Sequence, residues 1–434
     1  MGILPMLTML NGEGLAATDL AQIFPFGRRP NPNDAISLSV CQNGRFCMRR
    51  LVILLAMVAM LCQLRIAAAD ADNPPQLAQA TADKALAYLK SQQKPDFGWQ
   101  DEADPPGITA LVLRAFISDD QYDAGQPFLE KGYEKLLSYQ VDAGGIYKDT
   151  LACYNTAIAV SALAESKKDA YRAAMLKALD YLRTLQWSDK ISGVPEQLRT
   201  QGNQDVKTGG FGYGKGSRPD LSNTQMAMDA LHDAGLKPDD PAFAAALQFV
   251  SRCQNFSETN NQPWAGDDGG FIYTPANGGS SPAGEFVGIG SRRMLRSYGS
   301  MTYAGLKSMI YAGLSHDDPR VKAALDWISR NFTVDMNPGM EALGPENAQG
   351  GLYYYFYTMA RALGAYGQPV IVDPQGGRHD WRLALIRKLA TLQRPDGSFV
   401  GQRKWMEDNP VLVTAYTVMV LETAKKDLAA NPAK

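Results

Sequence analysis

The chain has 434 residues, of which 45% are hydrophobic and 20% are charged, a profile typical of a soluble globular protein. Its formal net charge of −2 provides no basic field for a nucleic-acid partner and no acidic excess typical of disorder. We therefore expect neither nucleic-acid binding nor a chain that is disordered because of its charge. A chain of this length can bury a large hydrophobic core.

The first predicted element is a secretory signal peptide over residues 48–69. The basic start MRR leads into an apolar run over 51–61, and the alanines at 67–69 form a small-residue cleavage site. The apolar run is too short for a helix that spans a bilayer comfortably. We therefore expect an exported protein, periplasmic or secreted, that contacts a membrane only through this segment if it is not cleaved. Residues 1–47 are interpreted as a mis-assigned start or a disordered extension.

The rest of the chain repeats an apolar segment that ends in glutamine and a second segment that begins at a threonine. Apolar residues at i, i+3 and i+4 predict an amphipathic outer helix for the first segment, whereas the second is apolar or small on nearly every side and predicts a buried inner helix. The outer segments end at Gln93, Gln140, Gln186, Gln254, Phe332 and Gln393, and the inner segments begin at Thr109, Thr156, Thr224, Thr302, Thr358 and Thr414. Six pairs predict twelve helices.

The spacing of these segments predicts where a ligand binds. Each threonine is followed by the next glutamine position after 30 to 35 residues, whereas each glutamine position is followed by its own threonine after 16 to 48 residues. In a ring of helical hairpins, the variable connections all lie at the rim where the inner helices begin, and insertions confined to one rim usually mark a binding face. We expect the two longest connections, 187–223 and 255–301, to fold over this rim.

Glycine pairs recur in the variable connections, in GGIY at 144–147, GGFG at 209–212, GGFI at 269–272 and GGLY at 350–353. Paired glycines permit positive φ and close approach of the backbone. The glycine-rich stretch 209–216 has no strand before it, so it fails the context test for a nucleotide-binding loop. These stretches are interpreted as turns between an outer and an inner helix.

The order of helix, glutamine, glycine-rich aromatic turn and threonine-led helix resembles the toroid superfamily of terpene cyclases, such as squalene–hopene cyclases, and protein prenyltransferase beta subunits. QRPDGSF at 393–399 is similar to the family's Q-x3-G-x-W motif, 93–99 is a variant of it, and the resemblance covers residues 85–423. It implies an all-α fold, an (α/α)6 barrel of six helical hairpins over residues 80–428. It also implies a central cavity that binds or transforms an isoprenoid or other lipid.

The acid motif of squalene–hopene-type cyclases is incomplete in this chain. These enzymes carry D-x-D-D immediately before an inner-helix threonine, because protonation of an alkene requires a neutral, strongly acidic carboxyl group. Here the equivalent stretch reads DLSN at 220–223, so Asp220 keeps the first position while Ser222 and Asn223 replace the other two acids. We predict that Asp220 caps its helix instead.

Three further acids are candidate catalytic residues: Asp267, Asp268 and Glu346. Asp268 precedes a glycine pair and is interpreted as a turn residue. The zinc site of protein prenyltransferases, D-x-C with a histidine, is replaced by Asp220, Ser222 and an asparagine, which leaves too few ligands for zinc. We expect no metal and no other cofactor.

The candidate ligand-binding residues lie in the two longest connections and on the inner helices: Lys215, Arg218, Arg296, Tyr298, Tyr303 and Tyr354. Basic side chains beside converging helix N-termini suit an anionic head group, although a solvated loop would carry the same charges. Aromatic faces would stabilise a carbocation, although large aromatic residues also fill cores.

Two other functions remain open. The same barrel could serve as a non-catalytic binding protein, or as a carbohydrate-active α/α-barrel enzyme, a lyase or a glycosidase. A glycosidase needs two carboxylates across a cleft, for which Asp268 and Glu346 are candidates. After cleavage of the signal peptide, Cys153 and Cys253 would be the remaining cysteines, and a disulfide between them is optional.

Overall fold

A computed structural model describes residues 73–101, 104–188 and 206–432. The predicted signal peptide and the residues before it lie outside these ranges. The helices of the described part are α1 Pro74–Ser91, α2 Gly107–Ser118, α3 Pro127–Leu137, α4 Ala152–Glu165, α5 Asp169–Thr184, α6 Leu221–Asp233, α7 Pro241–Arg252, α8 Gly299–Tyr311, α9 Pro319–Asn331, α10 Leu352–Tyr366, α11 Trp381–Leu392 and α12 Pro410–Ala430. None of them is long and apolar enough to cross a membrane.

The strands of the described part form two small antiparallel hairpins within connections. β1 Glu285–Val287 pairs with β2 Arg293–Leu295 between α7 and α8. β3 Val370–Val372 pairs with β4 Arg378–Asp380 between α10 and α11. The fold is therefore all-α, as the sequence predicts.

Outer and inner helices alternate along the chain. The odd-numbered helices bury one face; α5, for example, buries a stripe at i, i+4, i+7, i+8 and i+11 that consists of Tyr171, Met175, Ala178, Leu179 and Leu182. The even-numbered helices are buried on nearly all sides, as the apolar character of their segments predicts.

The six inner helices form a closed ring. Each packs against the next in the order α2, α4, α6, α8, α10 and α12, and α12 packs back against α2. The outer helices α1 and α11 also pack against α12. Closure of the ring produces the (α/α)6 toroid of six hairpins.

The repeated glutamines join consecutive hairpins. Gln140 Nε2 donates to the carbonyl oxygens of Gly144, 3.0 Å away in its own turn, and of Ala174, 2.9 Å away in α5. Gln393 makes the same pair of bonds, to Gly397 at 3.1 Å and to Thr81 in α1 at 2.8 Å. Since Thr81 belongs to the first hairpin, this last bond closes the ring. The equivalent pairs are made by Gln93, Gln186 and Gln254.

The repeated threonines connect each turn to the start of its inner helix. Thr224 Oγ1 accepts a hydrogen bond from the N–H of Phe211 at 3.0 Å, which satisfies a buried backbone donor. The same bond joins Thr109 to Trp99, Thr156 to Ile146, Thr302 to Phe271 and Thr414 to Phe399. Thr358 differs: it donates to Tyr355 O at 3.0 Å within its own helix.

The turn glycines are needed where the backbone approaches the next outer helix. Gly209 has φ 85°, and a Cβ atom added to it would lie 1.7 Å from the carbonyl oxygen of Ala245 in α7. A residue with a side chain cannot fit at this position without movement of the helix. The glycine-rich stretch at 209–216 is therefore a hairpin turn.

Cys153 and Cys253 are both buried, and neither forms a disulfide. Burial raises the pKa of both thiols above the ordinary range. The optional disulfide considered from the sequence is not formed.

Candidate functional site

A cavity of about 460 Å³ lies at the rim where the six inner helices begin. Every inner helix contributes residues from its N-terminal half, such as Ile108 from α2, Ile158 from α4 and Leu412 from α12. The two longest connections contribute Tyr213 and Tyr273, so their described parts fold over this rim as the spacing predicts.

Aromatic side chains form much of the cavity wall: Tyr154, Tyr213, Tyr273, Tyr298, Tyr354, Trp405 and Tyr416. Several of their hydroxyl groups are paired with one another. The Tyr154 and Tyr416 oxygens are 3.2 Å apart, and those of Tyr213 and Tyr273 are 3.0 Å apart. Because the polar tips are paired, the rings offer ligands mainly apolar faces and edges.

Asp220 is the N-cap of α6, as predicted. Its Oδ1 accepts from the Asn223 N–H at 2.8 Å, and its Oδ2 accepts from Asn223 Nδ2 at 2.9 Å. Burial raises the pKa of Asp220 to about 6, although these hydrogen bonds favour the charged form. This effect of burial was not predictable from the D-x-D-D position of Asp220. Asp220 is not among the residues that line the cavity.

Ser222 stands at the middle acid position of the D-x-D-D pattern and does line the cavity. Its hydroxyl oxygen lies 3.1 Å from the hydroxyl oxygen of Tyr354. A serine hydroxyl can donate a hydrogen bond but cannot protonate an alkene. The chemistry of the usual motif is therefore absent at this position.

The other acids predicted from the sequence lie away from the cavity. Asp267 is exposed and accepts from the Ser257 N–H at 2.8 Å. Asp268 Oδ1 accepts from the Gly270 N–H at 2.9 Å, which is the geometry of a turn residue. Glu346 is exposed and is 3.0 Å from Asn347 Nδ2. None of the three lines the cavity.

The three tyrosines predicted to bind ligand lie in different surroundings. Tyr298 and Tyr354 line the cavity. Tyr303 lies in the core, where its ring centroid is 5.7 Å from that of Tyr355.

The three basic candidates do not line the cavity. Lys215 and Arg218 are exposed, and the Arg218 guanidinium lies 6.0 Å from the centroid of the Tyr273 ring. The Arg296 guanidinium lies 4.8 Å from the Phe286 ring. Among the described residues no lysine or arginine lines the cavity, so these positions offer no anionic head-group site inside it.

Glu407 is a cavity-lining acid that the sequence-based reasoning missed. Its Oε1 accepts from the backbone N–H groups of Tyr353 and Tyr354, both at 2.9 Å, and so caps α10, whose N-cap Gly351 has no side chain. Its Oε2 has no partner in the described part of the chain. Burial raises the pKa of Glu407 to about 7. No motif surrounds Glu407, and only the fold brings it beside α10.

A buried ion pair lies below the cavity, in the C-terminal halves of α6 and α8. Lys307 Nζ is 2.6 Å from Asp229 Oδ2 and 2.6 Å from Gln225 Oε1. The Gln225 Nε2 atom lies 3.1 Å from the Tyr354 hydroxyl oxygen. Burial lowers the pKa of Lys307 to about 8, while Asp229 opposes that shift. Hydrogen bonds thus connect the ion pair to the cavity wall.

A second charged cluster lies at the C-terminal ends of the inner helices. Arg114 contacts Glu165 at 2.7 Å and Asp233 at 3.4 Å, and Arg361 contacts Asp233 at 3.4 Å. The Arg114 side chain is 1% exposed. Charged groups, rather than apolar side chains alone, therefore fill the barrel below the cavity. Among the described residues no group of three or more histidines, cysteines or acids could hold a metal ion.

Comparison with known proteins supports the assignment of the fold. No protein-family model matches the sequence, and no curated protein sequence matches it. Two structures of the type II terpene cyclase MstE from Scytonema are similar: one variant bound to its substrate geranylgeranyl dihydroxybenzoate, and one bound to its product merosterolic acid A. Each is 15% identical, with a TM-score of 0.50, and the match covers 82% of this chain and 99% of the cyclase. This chain therefore has a terpene cyclase-like, all-α toroid fold.

Proposed function

We propose that this protein binds an isoprenoid lipid in the cavity at the rim of the inner helices. The observation that carries the proposal is the aromatic wall around a cavity of about 460 Å³, a volume in the range of small-molecule sites. The complex of MstE with a geranylgeranyl compound supports an isoprenoid as the ligand of a barrel with this fold. The sequence resemblance to squalene–hopene cyclases and protein prenyltransferases is consistent with this proposal.

Features of the cavity disfavour a carbohydrate substrate. A glycosidase requires a pair of carboxyl groups that face one site. Glu407 is the single carboxyl among the described residues that line the cavity, and neither Asp268 nor Glu346 joins it there. The aromatic wall, in which most of the hydroxyl groups are hydrogen-bonded within the protein, suits an apolar chain better than a sugar.

Binding can be tested with the purified full-length protein, from which geranylgeraniol displaces a fluorescent lipid. We expect saturable binding that is weakened at least about tenfold by Leu111→Trp, because the larger ring would fill the cavity. Leu176→Trp is the matched control, since Leu176 is 42% exposed on the outer helix α5. Equal binding by the two variants would refute the proposed site.

Glu407 favours acid-initiated cyclisation as a second candidate function. In that reaction the carboxyl proton adds to an alkene carbon, and the π electrons form the new C–H bond. A second alkene attacks the resulting cation, and loss of a proton from the final cation restores the carboxyl group. The aromatic wall would stabilise the cations. The pKa of about 7 keeps much of Glu407 protonated near neutral pH, so Glu407 meets the need for a neutral carboxyl group but is a weaker proton donor than the acid of the D-x-D-D motif.

This second candidate has its own test. Full-length protein is incubated with C20 and C30 polyprenyl substrates, and the products are analysed by mass spectrometry. We expect cyclised products from the natural protein and none from Glu407→Gln, which retains geranylgeraniol binding. If the natural protein binds these compounds but forms no product, the protein is a binding protein and the catalytic candidate is wrong.

A further inference from the structure

The side of the cavity formed by α6 and α10 is hydrogen-bonded to the buried ion pair. The hydroxyl oxygens of Ser222 and Tyr354 are 3.1 Å apart, and both residues line the cavity. Gln225 Nε2 lies 3.1 Å from the Tyr354 oxygen, and Gln225 Oε1 lies 2.6 Å from Lys307 Nζ. Lys307 in turn contacts Asp229 at 2.6 Å. A continuous chain of hydrogen bonds therefore runs from the ion pair to the cavity.

Lys307 fixes the direction of this chain. A lysine ammonium group donates hydrogen bonds and accepts none, so the atom of Gln225 that faces Lys307 must be the amide oxygen. The amide nitrogen then faces Tyr354 and donates to its hydroxyl oxygen. The oxygen and nitrogen of the Gln225 amide are therefore distinguished by their partners.

One hydroxyl proton of the Ser222 and Tyr354 pair remains available for a hydrogen bond to a ligand. Ser222 and Tyr354 together carry two hydroxyl protons, and the bond between them uses one, whichever group donates it. The Tyr354 oxygen already accepts from Gln225, and neither hydroxyl has another partner in the described part of the chain. One hydroxyl proton is therefore left without an acceptor at the cavity wall.

The pair formed by Tyr213 and Tyr273 differs from the pair formed by Ser222 and Tyr354. The Tyr213 and Tyr273 oxygens are 3.0 Å apart, and the Tyr273 hydroxyl opposes the rise that burial causes in the pKa of Asp220, so the buried Asp220 carboxyl group is an acceptor within reach of this pair. The Tyr154 and Tyr416 pair leaves one proton, but no charged group behind it sets its direction. The Tyr154 and Tyr416 pair therefore serves as an internal control.

The charges around the cavity restrict the kind of oxygen that can accept this proton. No lysine, arginine or histidine is among the described residues that line the cavity, whereas Glu407 is. The charge of Lys307 is balanced by Asp229. A diphosphate group would therefore be buried without a compensating cation, which is costly.

We infer that Ser222 and Tyr354 form a subsite that donates a hydrogen bond to an uncharged oxygen atom of the ligand. The ligand is then an isoprenoid alcohol or carbonyl compound, rather than a hydrocarbon or a diphosphate. The inference rests on the proposed function and adds the chemical class of the ligand. Gln225 acts as a positioning residue, since it contacts Tyr354 and not the cavity.

The test compares three C20 compounds that share one skeleton: geranylgeraniol, the hydrocarbon that lacks its hydroxyl group, and geranylgeranyl diphosphate. Affinities are measured with the full-length protein by displacement of a fluorescent lipid. We expect the alcohol to bind about tenfold more tightly than the hydrocarbon, because the hydrocarbon leaves a buried donor unpaired. We expect the diphosphate to bind no more tightly than the hydrocarbon.

Proton counting makes a distinct prediction for variants. Ser222→Ala or Tyr354→Phe alone leaves one hydroxyl proton, so each single variant retains most of the preference for the alcohol. The double variant Ser222→Ala/Tyr354→Phe has no hydroxyl proton at this position, so its preference for the alcohol over the hydrocarbon should disappear. Far-UV circular dichroism and the midpoint of urea unfolding, compared with those of the natural protein, check that the double variant is folded. The matched control Tyr154→Phe/Tyr416→Phe removes both hydroxyl groups of the other pair and should keep the preference.

The possible results separate the inference from the proposed function. If the three compounds bind with equal affinity, the subsite is wrong and the lipid cavity stands. If Ser222→Ala/Tyr354→Phe keeps the preference, or Tyr154→Phe/Tyr416→Phe abolishes it, the subsite lies elsewhere in the cavity and the inference is overturned. If no C20 compound binds, the proposed function itself fails.

Discussion

Phe97 has a left-handed backbone conformation at a position that glycine occupies in other turns. Its φ is 66°, compared with 103° for Gly144 and 87° for Gly397. The Phe97 carbonyl oxygen accepts a hydrogen bond from Gln93, just as the carbonyl oxygens of Gly144 and Gly397 accept from the equivalent glutamines of their turns. A residue with a Cβ atom in this region is strained by about 1–3 kcal/mol. Phe97 is 45% exposed, so its side chain contributes little buried surface to offset the strain.

We therefore expect Phe97→Gly to raise the free energy of unfolding by about 0.5–1 kcal/mol, after allowance for the greater flexibility of glycine in the unfolded chain. Urea denaturation would measure the change. Phe97→Ala keeps the strained backbone conformation, so it should not raise the free energy of unfolding. Gly397→Ala is the reverse change and should destabilise, since its Cβ would lie 2.4 Å from the carbonyl oxygen of Lys84. A gain for Phe97→Ala equal to that for Phe97→Gly would contradict the argument from strain.

Glu407 should make stability depend on pH. Its pKa is raised from the ordinary value of 4.5 to about 7 in the folded protein, so folding becomes less favourable as pH rises from about 4.5 to about 7. The shift corresponds to roughly 3 kcal/mol between the ends of that range. Glu407→Gln should remove this contribution and flatten the plot of unfolding free energy against pH. The exposed Glu346→Gln is the matched control, and an unchanged slope in Glu407→Gln would show that the carboxyl group ionises freely in the folded state.

At the scale of helices, the charged cluster at the ends of α2, α4, α6 and α10 should be important for stability. Arg114→Ala would leave Glu165 without its partner and Asp233 with Arg361 and the neighbouring His232, so we expect a loss of about 3–5 kcal/mol in urea denaturation. Arg114→Lys should lose less stability than Arg114→Ala but more than none, because lysine cannot reproduce the forked contact of the guanidinium with Glu165.

The exposed pair of Lys131 and Glu134 on α3 provides the comparison for this cluster. Its side chains are 49% and 56% exposed, so Lys131→Ala should leave the free energy of unfolding almost unchanged. If Arg114→Ala cost no more than Lys131→Ala, the buried cluster would have no special role in holding the inner helices together.

The helices were predictable because their signals are local and repeated. The 3.6-residue period distinguishes outer from inner helices, and the cap at Asp220 joins residues only three positions apart. The charged residues within the apolar inner segments, such as Arg114, Asp229 and Lys307, were visible in the sequence. Their pairing was not predictable, because it depends on which helices face one another once the ring closes.

The site was less predictable than the fold for the same reason. Glu407 contacts the N–H groups of Tyr353 and Tyr354, more than 50 residues earlier in the chain, and no periodicity links such positions. Lys215 and Arg218 lie in the connection expected at the rim, but the path of that connection leaves both side chains exposed. Spacing located the rim correctly and could not say which side chains enter the cavity.

At the scale of the whole molecule, the barrel differs from an open stack of hairpins because its last unit contacts its first. Gln393 donates to the carbonyl oxygen of Thr81 across 312 residues of sequence, and α1 also packs against α11 and α12. An open stack has two terminal units that fray, whereas a closed ring supports its first helix from the end of the chain. Local opening of α1 should therefore be controlled by contacts with the last hairpin.

Two chemically identical substitutions should therefore increase local opening in different helices. Gln393→Ala and Gln186→Ala each remove a side chain that bonds two backbone carbonyls, so each should cost about 1–3 kcal/mol of stability. In hydrogen exchange followed by mass spectrometry, Gln393→Ala should accelerate exchange in α1, and Gln186→Ala should do so in α7, where Gln186 bonds Ala242. If exchange in α1 is unchanged in Gln393→Ala, other contacts suffice to close the ring, and the repeated glutamine is a feature of each turn rather than the joint between neighbouring hairpins.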